Sequence, residues 1–64
     1  MNERIQEAIG HLDEDHRVIV LLRDVEDMSY EEIGEILGLP EGTVKSRLHR
    51  ARNELRERLS KTNE

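Results

Sequence analysis

The 64-residue sequence has no cysteine, no tryptophan and no phenylalanine, and only one tyrosine and one proline. Without cysteine there is no disulfide framework, no thiolate nucleophile and no cysteine-based zinc site. With Tyr30 as the sole aromatic residue, a core has to be built from Ile, Leu, Val and Ala on the inner faces of helices. The longest unbroken apolar run, Val18 to Leu22, falls far short of the roughly 20 residues that span a bilayer. The N-terminus carries no charged-then-apolar leader pattern. These absences point to a soluble, unsecreted protein that makes no use of a membrane, and the lack of cysteine leaves its redox compartment open. A chain of this size forms one domain, 1–64, and buries only about 60% of its extended-chain surface, which leaves no room for a deep catalytic cavity.

Charge is plentiful but unevenly placed. Residues 1–40 hold eleven acidic and three basic side chains, a balance of −8, and residues 41–64 hold four acidic and seven basic, a balance of +3. An acidic body joined to a basic C-terminal segment suits two surfaces with two kinds of partner, the basic one directed at a polyanion such as nucleic acid.

Apolar spacing divides the chain into four helices. Ile5, Ala8, Ile9 and Leu12 fall at i, i+3, i+4 and i+7, the stripe of a short first helix. Asp13 offers a capping oxygen for the second, in which Val18, Leu21, Leu22 and Val25 repeat the spacing and predict the buried face. On that reading Ile19 and Val20 turn away from the stripe and form a second apolar strip on the surface, open to a protein partner. Ser29 and Glu32 make a capping box, with Met28 and Ile33 as its hydrophobic staple, so the third helix begins at Tyr30. Ile33, Ile36 and Leu37 are its expected buried side chains, and Gly38 stands where a helix ends in the left-handed conformation. Pro40 suits the start of a fourth helix, where a missing N–H costs nothing.

Val44, Leu48, Ala51, Leu55 and Leu59 give the fourth helix a narrow apolar stripe. At about 100° per residue, Lys45, Ser46, His49, Arg50 and Asn53 lie away from that stripe on one exposed polar face. "SKTNE", residues 60–64, reads as a frayed tail. Two short helices joined by a tight glycine-containing turn, the second bearing exposed basic and hydrogen-bonding side chains in its first turns, form a helix-turn-helix over about 29–59. Gly34 fits it by allowing the third and fourth helices to cross closely. The fold class is therefore all-α, a small four-helix domain with a C-terminal helix-turn-helix.

Other chemistries find little support. His11 and His16 are five apart across a helix start and match no metal-ligand pattern, so neither a metal nor any other cofactor is expected. Ser46, His49 and Glu57 on a convex helix have no oxyanion hole and no pocket that excludes water, so the chain is not read as an enzyme and needs no small-molecule substrate.

The stretch "MSYEEIGEILGLPEGTVKSRLHRARNELRERL", residues 28–59, and the string "EGTVKSRLHRAR" in particular, resembles region 4 of bacterial sigma factors of the sigma-70 family, in the extracytoplasmic-function group. The likeness runs from about Leu12 to Leu59. It implies a four-helix unit whose recognition helix binds the −35 promoter element while other surfaces dock the β flap of RNA polymerase or an anti-sigma factor in the bacterial cytoplasm. Carried onto this sequence, it implies base-reading roles for Lys45, Ser46, His49 and Arg50, and phosphate contacts from Ser29, Tyr30, Thr43, Arg47 and Arg52. Tyr30 has packing on its neighbours as its other reading. Ile19 and Val20 would belong to the protein-docking surface. Nothing in the chain resembles the region that melts promoters. A module that binds protein alone, with negligible affinity for DNA, stands as the alternative function.

Overall fold

The computed structural model describes residues 3–61 and contains, among them, helices only. Helix α1 spans Glu3–Gly10 and helix α2 Glu14–Val20, which runs on into a π-helical segment, Leu21–Val25; α3 spans Tyr30–Leu37 and α4 Glu41–Lys61. Ile9, Leu12, Ile19, Val20, Ile33, Val44, Leu48 and Ala51 meet in one core, with Ile5, Leu22, Met28, Tyr30, Leu37, Leu39 and Leu55 packed around it. Helix α4 packs against all three other helices. All four helices thus contribute to one small apolar centre.

The first helix follows its stripe, burying Ala8 and Ile9. A tight turn, with His11 N–H donating to the Ala8 carbonyl and Leu12 N–H to that of Ile9 (both 3.1 Å), then folds Leu12 into the core. Asp13 precedes α2 in an extended conformation, but its side chain makes no capping hydrogen bond; only its carbonyl is used, accepting from Arg17 N–H at 2.8 Å.

Helix α2 departs from the expected orientation. Ile19 and Val20 are 0% and 1% exposed, whereas Leu21 and Val25, expected inside, are 37% and 50% exposed. Ile19 and Val20 are core residues, so they are no docking surface for a protein partner. The reason lies in what else shares the inner face. With Val18 at zero, His16 lies at about 160°, Ile19 at 100°, Val20 at 200° and Arg23 at 140°. That face carries two polar side chains, which dilute its apolar signal, while Leu21 and Val25 of the more uniformly apolar stripe look outward and Leu22 packs at the edge of the core. The chain then widens into the π turn, where Glu26 N–H reaches the Leu21 carbonyl at 3.0 Å. An i→i+5 bond adds a residue to the turn and breaks the 3.6-residue register, so Val25 does not return to the face predicted for it.

Asp27 adopts a positive φ of 58° in the connection to α3. The capping box at Ser29 is complete: Glu32 N–H donates to Ser29 Oγ at 3.1 Å, and Ser29 N–H donates to Glu32 Oε1 at 2.9 Å. The backbone N–H of Ser29, followed by its hydroxyl, holds the Glu32 carboxyl below its ordinary pKa. Ile33 is fully buried, but Ile36 is 56% exposed, because α3 turns a narrower face inward than its apolar residues suggest. Gly38 ends the helix with φ 70° and ψ 37°, its N–H bonded to the Gly34 carbonyl.

Gly34 is required by a close approach, though not chiefly to α4. A Cβ there would stand 2.6 Å from the Leu39 carbonyl oxygen and 3.6 Å from Val44 Cγ2. The tight turn folds back over Gly34, and Leu39 N–H bonds to its carbonyl at 2.9 Å. Pro40 stands just before α4, and its carbonyl accepts from Thr43 and Val44 N–H, both at 3.0 Å. Ser60 and Lys61, read as the start of a tail, continue α4; residues 62–64 of that reading lie outside the described residues.

Candidate nucleic-acid interface

The second helix of the α3–turn–α4 unit presents Lys45, Ser46, His49 and Arg50 on its exposed side, while Val44, Leu48 and Ala51 are buried beneath them. The four predicted base-reading residues are therefore brought together on one face within the first three turns. Each is placed there by the apolar spacing of α4, since residues three and four apart lie on one side of a helix.

The side chains around this face form two sets that share Arg47. Thr43, Ser46, Arg47 and Arg50 line an open polar cleft of about 400 Å³ with Pro40 and Gly42 at the start of α4. Its hydroxyls and guanidinium groups are of the types that bind phosphate oxygens. Ser29 is also exposed. Its Oγ accepts a bond from Glu32 N–H, which leaves the hydroxyl proton able to donate outward. Tyr30 is half-buried, with Arg23 5.2 Å from its ring centroid and Lys45 5.7 Å from it. Two cations on one aromatic ring make Tyr30 a packing platform that orients Lys45 as well as a candidate phosphate contact. Lys45 also pairs with Glu41 at 3.7 Å.

The second set is already engaged. Arg47 Nη1 stands 3.9 Å from Asp15 of α2, and Arg52 Nη2 donates to Asp24 of the π segment at 2.6 Å. These arginines flank the buried stripe of α4 at about 300° and 80°, so they face the acidic elements beside it. The acidic body thus neutralises two of the cations predicted to bind phosphate, and the outward cations Lys45 and Arg50 lead the exposed face.

Sequence reasoning missed a further set of polar side chains. Arg23 donates to the Met28 carbonyl at 2.9 Å and lies 3.8 Å from Asp27, fastening the connection between the π segment and α3. Its i,i+4 spacing to Asp27 was the one available signal. His16 Nδ1 lies 2.6 Å from Glu54 Oε1, and Arg58 Nη2 donates to Glu54 Oε2 at 3.3 Å. The bond from His16 lowers the Glu54 pKa most; burial opposes it and Arg58 adds to it. Asp13, His16 and Glu54 bring potential ligand atoms within 4.8 Å of one another. Both oxygens of Glu54 are engaged by His16 and Arg58, so this group reads as a strut between α2 and α4. His16 and Glu54 are 38 residues apart, and no local pattern links them.

A face of polar and basic side chains on the second helix of a tight helix-turn-helix is of the kind that can enter the major groove. Residues 2–55 match the family model described as "Sigma-70, region 4". The ECF RNA polymerase sigma factor SigE of Mycolicibacterium smegmatis is 49% identical over 57 residues, covering 89% of this chain and 22% of that protein. SigW, an ECF RNA polymerase sigma factor of Bacillus subtilis, is 42% identical over 59 residues, covering 92% and 32% respectively. The ECF RNA polymerase sigma-E factor of Escherichia coli is 49% identical over 45 residues, covering 70% and 24%. The chain therefore spans between about a fifth and a third of the length of these relatives. With the family match covering most of the chain and the same four-helix design in its fold, the chain belongs to the sigma-70 region 4 family, in its extracytoplasmic-function group.

Proposed function

We propose that this domain reads the −35 element of promoter DNA with the outer face of α4, and so serves transcription initiation by RNA polymerase in the bacterial cytoplasm. The observation that carries the reading is the grouping of Lys45, Ser46, His49 and Arg50 on one exposed face at the start of the second helix of a helix-turn-helix. The first turns of such a helix approach base edges, and side chains at its margins meet phosphates. Arg50 carries most of the expected sequence preference, because a guanidinium donates two parallel bonds to guanine O6 and N7. Lys45, Ser46 and His49 support it at neighbouring bases. Thr43, Ser29 and Tyr30 meet the phosphates, as do Arg47 and Arg52 once their acidic partners yield.

Fluorescence anisotropy of the chain on a preferred promoter duplex and on a scrambled duplex tests the reading. Arg50→Ala is expected to cost about 1–3 kcal/mol on the preferred duplex and little on the scrambled one. Arg47→Ala should weaken both alike. Binding of the unaltered chain that ignores sequence even at low salt would overturn base reading.

A second surface supports docking to the polymerase β flap. Ile9, Leu21 and Val25, with Gln6, Arg17 and Asp24 at the margins, line an open groove of about 640 Å³ between α1 and the π segment. Its Leu21 and Val25 supply the exposed apolar surface that Ile19 and Val20 do not. The named relatives are RNA polymerase sigma factors, and a groove lined by α1, α2 and the π segment rather than by α4 lets one domain hold polymerase and DNA together. Leu21→Asp should weaken capture of core polymerase and leave duplex binding unchanged. Loss of both, or of neither, would remove the groove from the reading; an anti-sigma factor is the competing occupant.

A further inference from the structure

We infer that Arg56 and Asn53, neither of which needs to touch a base, set the tautomer of His49 and thereby decide which base edge His49 accepts. The inference rests on the reading of α4 as the base-reading helix, and it starts from three side chains in a row. His49, Asn53 and Arg56 stand at i, i+4 and i+7, at about 140°, 180° and 120° around α4, one above another on its outer face.

Arg56 Nη1 lies 2.9 Å from Asn53 Oδ1. A guanidinium only donates, so the atom it meets must be the amide oxygen. That contact fixes the amide and turns its nitrogen toward the preceding turn, where Asn53 Nδ2 lies 3.4 Å from His49 Nε2. The amide nitrogen also only donates, so Nε2 of the neutral ring must hold its lone pair and the ring proton must sit on Nδ1. Nδ1 has no partner among the described residues, and His49 is exposed. The relay therefore leaves the ring with one unused group, and that group is a donor.

A donor pairs with purine N7, guanine O6 or thymine O4; it finds nothing to bond on the amino group of adenine or cytosine. Without Arg56 the Asn53 amide is free to turn over and offer Oδ1 to His49. The ring then places its proton on Nε2, and Nδ1 becomes an acceptor suited to those amino groups instead. Arg56 and Asn53 are thus positioning residues for base choice, acting through the ring of His49.

The test uses the whole chain, labelled with 15N, as the unaltered protein and as Arg56→Ala, Arg56→Lys and Asn53→Ala. The three substitutions alter only the outer face of α4, where substitutions leave the fold intact. Long-range 15N–1H correlation spectra at about pH 8, where an ordinary imidazole is neutral, report which ring nitrogen is protonated. The unaltered chain should show Nδ1–H on His49; Arg56→Ala and Asn53→Ala should move the proton toward Nε2, and Arg56→Lys, which still donates to Oδ1, should restore it. Affinities are then measured on a promoter duplex in which each base pair is replaced in turn. At one pair the unaltered chain should prefer an edge bearing an acceptor, Arg56→Ala should lose about three- to tenfold of that preference, and Arg56→Lys should regain it. A ring protonated at Nε2 in the unaltered chain, or ring shifts unmoved by Arg56→Ala, overturns the relay. A tautomer that moves while the base preference stays overturns its role in reading. If the unaltered chain prefers no duplex over a scrambled one, base reading itself falls, and the ring shifts still decide whether Arg56 controls the tautomer.

Discussion

Glu54 Oε1 stands 2.6 Å from His16 Nδ1 and ties the middle of α4 to the first turn of α2. The same bond holds the Glu54 carboxyl below its ordinary value of 4.5. A carboxyl whose folded pKa is depressed stabilises the fold above its unfolded pKa, and that contribution is lost as pH falls through the folded value. Glu32, lowered by the capping box, acts in the same direction. Thermal stability should therefore decline on acidification below about pH 4.5. Glu54→Gln, which keeps an acceptor for His16 but cannot titrate, should lower stability at neutral pH and flatten the decline. Melting curves at pH 7 and pH 3 check this; a difference between the two proteins that is the same at both pH values would show that Glu54 contributes nothing to acid sensitivity.

The glycines of the chain are not equivalent. Gly34→Ala would drive a methyl to 2.6 Å from the Leu39 carbonyl oxygen, a backbone atom that cannot step aside, and should cost about 1–3 kcal/mol. Gly38→Ala meets no neighbour but must hold φ at 70°, for about 1–2 kcal/mol. Gly10, at the end of α1 with nothing within 4 Å and an ordinary φ, should tolerate Ala or gain up to about 1 kcal/mol. Urea denaturation orders the three, and a Gly34→Ala variant as stable as Gly10→Ala would contradict the fold of the turn.

Truncations on α2 distinguish its observed orientation from the one its periodicity suggests. Ile19→Ala removes a fully buried side chain and should cost about 2–5 kcal/mol, enough to unfold much of a small domain at room temperature. Val25→Ala, on a half-exposed side chain of the π segment that continues α2, should stay within about 0.5 kcal/mol. Circular dichroism melts decide it, and the reverse order would restore the Val18–Val25 stripe as the core face.

If α4 docks on DNA as proposed, Asp24 competes with a phosphate for Arg52. The pair is short, 2.6 Å, but both side chains are more than a third exposed, so separating them costs little, about 0–1 kcal/mol. Asp24→Asn should free the guanidinium, raise affinity for any duplex, and steepen the slope of log K against log salt by about 0.9 if Arg52 then neutralises one phosphate. Titrations at several salt concentrations give that slope. An unchanged slope with unchanged affinity would remove Arg52 from the phosphate-binding set.

Much of this protein could be read from local sequence because the physics that shapes those parts is local. The capping box at Ser29, the stop at Gly38, the entry of α4 after Pro40 and the outward grouping of Lys45, Ser46, His49 and Arg50 each depend on residues within a few positions of one another. The same window carries the family likeness. Only the tertiary structure decided the orientation of α2, since a helix with apolar residues on two sides has no local reason to choose between them. The choice went to the face where Ile19 and Val20 fill the core while His16 finds Glu54 and Arg23 lies over Tyr30. Those polar partners lie on other elements, so their value appears only after the helices have met. The pairing of Arg47 with Asp15 and Arg52 with Asp24 has the same origin: charges far apart in the chain neutralise one another through proximity, which composition and spacing do not encode.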